Sequence, residues 1–269
     1  MFDTADIYEG YDRFLGSPGG VAEEILGEAL QGRRDQAVIT TKVGNPVGSG
    51  PGGKHPSGTD YAGTGLGREH IEAQIDASLR RLDTDYVDYY LLHIADDSTP
   101  LEVTLNTVDR LVAAGKVLKW GFSNFDTDQI ETMLDLCHAG AAPMPVVAQP
   151  CYNWLERDLE VGYLPICWSH DIALTPYRPL AGGLLSGKYR SRIEPPAGSR
   201  AAESAWIDSS KIPYERIGKF HKEVTDAGAS APCYAFQWLL QRDGVISVVT
   251  GVKSREQLRD LCSCVEHFS

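Results

Sequence analysis

Short apolar runs alternate along this chain with longer stretches in which apolar residues recur at helical spacing. Runs rich in β-branched and aromatic residues are typical of strands. Val87–His93 is nearly all apolar, which indicates a strand covered on both faces. The pattern predicts strands at Met1–Ala5, Ala37–Lys42, Val87–His93, Lys119–Asn124, Val146–Gln149, Ile172–Pro176 and Val245–Thr250.

The predicted helices lie between these strands. Arg68–Leu82 has the clearest periodicity, with apolar residues at positions 71, 75, 79 and 82. Asp126 or Thr127 can cap a helix whose apolar face ends at Cys137. The other helices are predicted at Val21–Gln31, Leu101–Ala114, Asp158–Ser169 with a bend near Pro165, Tyr214–Ala227, Ala231–Gln241 and Ser254–Cys264. The longest connections are predicted to be the loops Tyr11–Gly20, Gly44–Gly67 and Arg190–Pro213.

Alternating strands and helices predict βαβ units and a parallel sheet. A doubly wound sheet normally carries a G-x-G-x-x-G turn after its first strand, and this chain has none there. Polar residues instead close one strand after another, as in a barrel whose functional residues lie at the carboxyl ends of its strands. We therefore predict an α/β fold, a single barrel domain over residues 1–269, although the pattern supplies seven strands rather than eight.

Composition narrows the class of protein. A formal charge of −12 over 269 residues argues against a nucleic-acid partner, since phosphate backbones bind clustered Lys and Arg. No apolar run of about 18 residues is present, so we expect a cytoplasmic protein without membrane contact. The six cysteines lack C-x-x-C spacing, so we expect no metal site and mostly buried, unpaired thiols.

Four polar residues near the ends of the first three predicted strands suggest a proton-transfer site: Asp3, Tyr8, Lys42 and His93. A phenol is a weak acid near neutrality, but an adjacent ammonium favours the phenolate, and a carboxylate can hold that ammonium in place. The imidazole can hydrogen-bond a substrate oxygen or relay a proton. Each residue also has a structural interpretation, as an Asp–Lys pair inside a barrel or a core histidine. Four such residues at consecutive strand ends favour chemistry.

Further polar residues at the same strand ends suit a flat, phosphorylated ligand. Ser123, Asn124 and Gln149 offer hydroxyl and amide groups for a carboxamide, and Tyr177 can stack on a ring. The turn Pro179–Leu184 can expose backbone N–H groups to a pyrophosphate. Loop capping and core packing are the structural alternatives for these residues.

A second anion site is suggested near the C-terminus. Gly251 and Lys253 precede a predicted helix start at Ser254, where a helix N-terminus and one ammonium can bind a phosphate. A solvated helix start is the structural alternative.

These segments, taken in order, resemble the aldo-keto reductase family. FDTADIY resembles the Asp/Tyr motif of that family, ITTKVG its Lys motif and VDYYLLH its His motif. GFSNF, AQPCYNWLERD, TPYRPLAGGLLSGKY and GVKSREQL match the remaining cofactor-facing segments. The resemblance covers essentially the whole chain and implies a TIM-type (α/β)8 barrel that uses NADPH to reduce a carbonyl to an alcohol.

The resemblance also implies a role for each matched residue. Tyr8 would be the general acid, Lys42 and Asp3 would tune it, and His93 would orient a small-molecule carbonyl substrate. The residues implied to hold NADP(H) are Ser123, Asn124 and Gln149 at the carboxamide, Tyr177 on the ring, Arg178, Pro179, Leu180, Gly182 and Lys188 at the pyrophosphate, and Gly251, Lys253, Gln257 and Asp260 around the adenosine phosphate. The expectation of NADPH over NADH rests mainly on Lys253.

The chain departs from the family pattern in three places. Arg178 stands where Ser is common, and Leu261 stands where Asn often faces the adenine. The first strand and helix of the family, which normally precede FDTA, are missing, so we expect an open sheet edge that can form a homo-oligomer contact.

Two alternative functions follow. The open edge motivates a cofactor-binding regulatory or scaffold subunit with weak or no activity. A Schiff-base enzyme that uses Lys42 as its nucleophile is a second alternative.

Overall fold

The structure is a computed structural model that describes residues 1–9, 19–48, 63–189 and 207–266. It divides into two compact units, Met1–Ala148 and Gln149–Ser269. The prediction of one domain over the whole chain stays a prediction. The predicted loops Tyr11–Gly20, Gly44–Gly67 and Arg190–Pro213 fall largely outside the described residues.

The first unit contains a parallel sheet whose strands pair in chain order. The strands are Phe2–Asp3 (β1), Ile39–Val43 (β2), Val87–Leu92 (β3), Val117–Phe122 (β4) and Val147–Ala148 (β5). All of β2 is buried, and so is most of β3, which explains its near-continuous apolar sequence. The predicted α/β class and parallel sheet are confirmed here.

Four helices of this unit connect the strands: Val21–Ala29 (α1), Arg68–Leu82 (α2), Leu101–Ala113 (α3) and Thr127–His138 (α4). The bounds of α2 are those predicted, and its apolar stripe is buried. Of the two predicted caps, Asp126 is the one that caps α4, and it does so in a reciprocal capping box with Gln129.

Gly121 on β4 shows how closely neighbouring strands approach. A Cβ added at this position would lie 1.9 Å from the carbonyl oxygen of Val147 on β5. Only glycine therefore fits where the chain runs toward the polar residues Ser123 and Asn124.

Within its described residues, the second unit contains one short strand, Ala173–Leu174 (β6), and a set of helices packed around Ile217 and Phe220. Its helices are Tyr163–Ser169 (α5), Tyr214–Asp226 (α6), Ala231–Leu240 (α7) and Arg255–Glu266 (α8). No helix in the described part of either unit is long and apolar enough to cross a membrane.

The predicted bend near Pro165 is wrong. The break lies earlier, at Val161 and Gly162, between a 3₁₀ turn at Asp158–Glu160 and the start of α5. Gly162 has a φ of 100°, which breaks the helix. Pro165 lies in the first turn of α5, where a helix needs no backbone N–H donor, so it does not bend the chain.

The seventh predicted strand, Val245–Thr250, does not form a continuous ladder. Two isolated bridges join it to the β6 segment, at Leu174–Val245 and at Tyr177–Val249. Pro176 lies between these bridges and lacks the N–H that a continuous ladder requires.

The cysteine prediction is partly wrong. Cys137 and Cys167 are buried and unpaired, as expected, and burial raises the pKa of the Cys167 thiol to about 12. Cys233 on α7 and Cys264 on α8, however, form a disulfide with a Cα–Cα distance of 5.3 Å. These two residues lie 31 positions apart and in no recognisable motif, so the sequence pattern gave no sign of the bond.

Candidate active site

The parallel sheet of the first unit places polar residues at one edge. Asp3 ends β1, Lys42 lies near the end of β2, and His93 follows β3. Ser123 and Asn124 follow β4. Since the carboxyl ends of parallel strands share one edge of a sheet, these side chains gather there as predicted.

Lys42 is the centre of this group. Its ammonium is completely buried and lies 2.6 Å from Asp3 Oδ2 and 2.8 Å from the carbonyl oxygen of Thr4. The phenol oxygen of Tyr8 is 3.4 Å from the same nitrogen, which lies 4.7 Å from the centroid of the Tyr8 ring. The predicted Asp–Tyr–Lys cluster is therefore present.

The electrostatics of this cluster favour a charged lysine. Burial opposes the charge and acts to lower the pKa of Lys42, but the Asp3 carboxylate and the Tyr8 phenol together outweigh it and raise the pKa above its usual value. Lys42 therefore remains an ammonium at neutral pH. Its positive charge stabilises negative charge on the adjacent phenol oxygen.

The side chain of Tyr8 is partly exposed to solvent, whereas its main chain is fixed by hydrogen bonds. The residue is 37% exposed, so its phenol can meet a substrate. Its N–H donates to the carbonyl of Ala5 at 3.1 Å, and its carbonyl accepts from the N–H of Ala22 at 2.8 Å. The Tyr8 ring packs edge-on against His93, with centroids 5.8 Å apart and planes at 78°. All four predicted catalytic residues thus lie together.

Asn124 links the β4 end to His93. Its amide nitrogen donates to the carbonyl oxygen of His93 at 2.8 Å and to the hydroxyl of Ser123 at 3.0 Å. The Asn124 backbone has a φ of 56°, in the left-handed region that asparagine tolerates. Ser123 is buried and Asn124 is exposed, so only the latter offers its side chain broadly to solvent.

Asp96 organises the loop after His93. Its carboxylate accepts hydrogen bonds from the N–H of Leu66 at 2.7 Å, from the hydroxyl of Thr99 at 2.7 Å and from Ser98. A Cβ added at Gly65 would lie 2.3 Å from the same carboxylate. Asp96 therefore joins the segment before α2 to the segment before α3.

The remaining predicted residues belong to the second unit. Gln149 is buried, and Tyr177 is half-buried with its N–H donating to the carbonyl of Pro150 at 3.0 Å. Burial raises the pKa of the Tyr177 phenol to about 12, so it remains neutral near pH 7. The N–H of Val249 donates to Pro176 at 2.8 Å, which brings the Tyr177 segment next to the chain that leads to Gly251.

The turn from Arg178 to Lys188 is closed by its own hydrogen bonds, since the N–H groups of Ala181, Gly183 and Leu184 donate to carbonyl oxygens within the turn. Arg178, Ala181, Gly182 and Gly183 all have positive φ values. Pro179 is buried, whereas the side chains of Arg178 and Lys188 are exposed.

A cavity of about 240 Å³ opens beside this turn. Three of its lining residues are cationic, namely Arg178, Lys211 and Arg216. Two carboxylates, Glu156 and Asp208, line the same cavity, and Asp208 pairs with Lys211 at 3.4 Å, so the charges around Arg178 are mixed.

The start of α8 carries the last predicted group. The N–H of Lys253 donates to Gln257 Oε1 at 2.8 Å, and the N–H of Gln257 donates to the hydroxyl of Ser254 at 3.3 Å. Gly251, Lys253, Gln257 and Asp260 are all exposed. Side chains on this helix start are thus available to a ligand.

The sequence pattern missed one member of the Lys42 cluster. The carbonyl of Thr4 accepts from the ammonium, and a backbone acceptor leaves no trace in residue identity. Across the described ranges, no group of three His, Cys, Asp or Glu side chains could hold a metal ion.

A sequence model of the aldo/keto reductase family matches residues 1–268. The chain belongs to this family. Membership confirms the resemblance and implies a TIM-type α/β barrel, with which the parallel sheet of the first unit agrees.

Relatives within the aldo/keto reductase family include channel subunits and reductases. A probable voltage-gated potassium channel subunit beta of Arabidopsis thaliana is 31% identical over 99% of this chain and 77% of its own length. A putative subunit of the same kind from Schizosaccharomyces pombe is 32% identical over 98% and 74%. An L-glyceraldehyde 3-phosphate reductase of Escherichia coli O157:H7 is 30% identical over 96% and 72%.

Asp96 generates a prediction about acid stability. Burial acts to raise its pKa, but the hydrogen bonds from Ser98, Thr99 and Leu66 outweigh it and lower the pKa from 3.8 to about 2. A carboxylate with a lowered pKa stabilises the folded state fully above its ordinary pKa and loses that contribution as the pH falls through about 2. The urea midpoint of the wild type should therefore fall more steeply below pH 3.8 than that of Asp96→Asn.

Asp97→Asn is the matched control, because this neighbouring carboxylate is exposed and accepts one bond, from Gln129. It should follow the wild-type acid profile. Equal slopes for Asp96→Asn and the wild type would contradict the role given to Asp96.

Proposed function

We propose that this chain is an NADPH-dependent carbonyl reductase that converts an aldehyde, ketone or sugar carbonyl to an alcohol, with Tyr8 as general acid. The observation that carries the proposal is the buried Lys42 ammonium, held by Asp3 at 2.6 Å and facing the Tyr8 phenol at 3.4 Å. Membership in the aldo/keto reductase family supports an oxidoreductase.

Tyr8 donates its proton to the carbonyl oxygen as the carbonyl carbon is reduced, so that the alcohol keeps that proton and the tyrosine is left as a phenolate. A general acid of this kind must be reachable by the substrate, and Tyr8 is partly exposed. Lys42 stabilises the phenolate through its charge, and Asp3 keeps the ammonium in place. The imidazole of His93, in contact with the Tyr8 ring, orients the carbonyl oxygen.

The residues present fit a nicotinamide dinucleotide. When bound, NADPH supplies the hydride for the carbonyl carbon. In the first unit, Ser123 and Asn124 present a hydroxyl and an amide suited to the carboxamide. In the second unit, Gln149 would offer an amide and Tyr177 would stack on a ring. The residues that would bind phosphate and adenosine groups are Arg178, Pro179, Leu180, Gly182, Lys188, Gly251, Lys253, Gln257 and Asp260.

The Schiff-base alternative is disfavoured by the site. A lysine nucleophile works as the neutral amine, which requires a lowered pKa. The pKa of Lys42 is raised, because Asp3 and Tyr8 outweigh the effect of burial. Borohydride trapping of a substrate on Lys42 would revive that alternative.

A direct assay tests the proposal. Purified protein should quench NADPH fluorescence on binding and should oxidise NADPH with at least one member of a broad panel of aldehydes, ketones and sugars. Absence of both signals would rule out a reductase.

The first prediction from this mechanism concerns the general acid. Tyr8→Phe keeps the ring against His93 but removes the proton donor, so turnover should fall by about 100-fold or more. The dissociation constant of NADPH, measured by fluorescence, should stay within about twofold because the phenol is assigned to proton transfer.

Tyr86→Phe serves as the matched control. Tyr86 immediately precedes β3, at the opposite end of that strand from His93, and its ring packs under Arg34. This variant should retain wild-type turnover. Undiminished turnover in Tyr8→Phe would contradict the assignment.

A second prediction concerns the choice between NADPH and NADH. Lys253→Met should weaken NADPH binding by about tenfold, because a hydrogen bond between charged groups contributes about 1.5 kcal/mol or more, while NADH binding should stay unchanged. Calorimetric titration of both cofactors measures this difference. Lys219→Met, which removes an exposed lysine of α6, is the control. An equal loss of affinity for NADPH and NADH in Lys253→Met would contradict a role of Lys253 at the adenosine phosphate.

A second candidate function rests on the two channel-subunit relatives, at 31% and 32% identity. In this case the chain is a cofactor-binding regulatory or scaffold subunit of low activity. NADPH binding without turnover, together with a stable complex in light scattering, would favour this function over the reductase.

Other predictions from the sequence stay predictions. They are the missing first βα unit of the barrel, a homo-oligomer contact at its edge, a cytoplasmic location, and the absence of nucleic-acid and membrane partners.

A further inference from the structure

A buried ion pair lies behind the Tyr8–Lys42 cluster. Glu23 on α1 and Arg81 on α2 are 0% and 4% exposed at their side chains, and Arg81 Nη2 lies 2.6 Å from Glu23 Oε2. Arg81 Nε donates to the same oxygen at 2.7 Å. The pair is thus held by two charge-assisted hydrogen bonds away from water.

The second oxygen of Glu23 reaches the strand that carries Lys42. The hydroxyl of Thr41 donates to Glu23 Oε1 at 2.5 Å, and Thr41 is completely buried. Thr41 immediately precedes Lys42 on β2. Glu23 therefore fixes α1 against the main chain from which the Lys42 side chain extends.

The same turn of α1 also holds Tyr8. The N–H of Ala22, which immediately precedes Glu23, donates to the carbonyl of Tyr8 at 2.8 Å. One helical turn therefore contacts the main chain of Tyr8 directly and, through Glu23 and Thr41, the main chain next to Lys42.

Two glycines show how closely the segment before α1 packs against Arg81 and the Tyr8 segment. A Cβ added at Gly20 would lie 2.3 Å from Arg81 Nε, and one added at Gly19 would lie 2.3 Å from the carbonyl oxygen of Asp6, two residues before Tyr8. Both glycines have positive φ values. The segment before α1 is therefore packed directly on Arg81 and on the Tyr8 segment, so a shift of α1 displaces Tyr8.

We propose that Glu23, held by Arg81 and Thr41, is a positioning residue that sets the separation between Tyr8 Oη and Lys42 Nζ. The inference rests on the proposed reductase function and deepens it. The field of an ammonium at a phenol oxygen falls with distance, so the benefit to proton transfer depends on that separation. A purely structural ion pair would join α1 to α2 and leave the 3.4 Å separation unaffected when its link to β2 is cut.

Thr41→Val isolates this link. It removes the hydroxyl bond to Glu23 but keeps the side-chain shape, and Glu23 and Arg81 remain paired. We expect kcat to fall by about tenfold with the KM for NADPH unchanged, since a displacement of about 1 Å can cost on the order of 100-fold in rate. Thr41→Ser restores the hydroxyl and should bring kcat back to within about twofold of the wild type.

Thr107→Val is the matched control. Thr107 is also buried and loses one hydroxyl bond, to the carbonyl of Val103 in α3. Thr41→Val should lose more thermal stability, because it leaves a buried carboxylate oxygen without its donor, so kcat is compared well below the melting temperature of both variants. Only Thr41→Val should lose kcat. Equal kcat in the two variants, or a Thr41→Ser variant as slow as Thr41→Val, would overturn the proposal.

A readout independent of turnover separates this proposal from the proposed function. In crystal structures, the Tyr8 Oη to Lys42 Nζ distance should be longer in Thr41→Val than in the wild type and unchanged in Thr107→Val. An unchanged distance in Thr41→Val overturns the positioning role even if the protein is an active reductase. A longer distance in a protein that reduces no carbonyl supports the positioning role while the proposed function fails.

Discussion

The buried ammonium of Lys42 is the constraint on which the rest of the first unit depends. Removing a charge from water costs several kcal/mol unless partners replace the lost hydration, so the strand that carries Lys42 needs acceptors at its end. Asp3 at the end of β1 and the carbonyl of Thr4, which follows that strand, supply them, and the register of β1 places Asp3 opposite Thr40. The buried charge of Lys42 is therefore stable only when these two strands are paired.

That requirement also shapes the chemistry. With two acceptors on its other side, the ammonium has its third neighbour in Tyr8, which is the most exposed member of the cluster. In the proposed mechanism, this buried positive charge lies beside the phenol that gives up a proton, so little has to move during the reaction. Glu23 and Arg81 form a second buried ion pair behind the first, and it joins the helix that holds Tyr8 to the strand that holds Lys42.

Local patterns predicted the parts of this structure that depend on local sequence. The bounds of α2 follow from its apolar spacing, and the strand-end residues of the cluster follow from apolar runs that end in polar side chains. What the sequence did not show depends on distant or backbone groups. The Thr4 carbonyl has no side-chain signature, and Glu23 and Arg81 are 58 positions apart. Pro165 misled the prediction because its effect depends on which helical turn it occupies.

In the proposed mechanism, the Lys42 charge makes Tyr8 a proton donor for carbonyl reduction. The most direct measurement is a single turnover with NADPH deuterated at the nicotinamide C4, comparing wild type with Lys42→Met and with Asp3→Asn/Lys42→Met, which removes both charges together. We expect the wild type to transfer deuterium to the carbonyl carbon, and both variants to bind NADPH but to transfer deuterium at least about 100-fold more slowly. Transfer at the wild-type rate in folded Lys42→Met would contradict this mechanism.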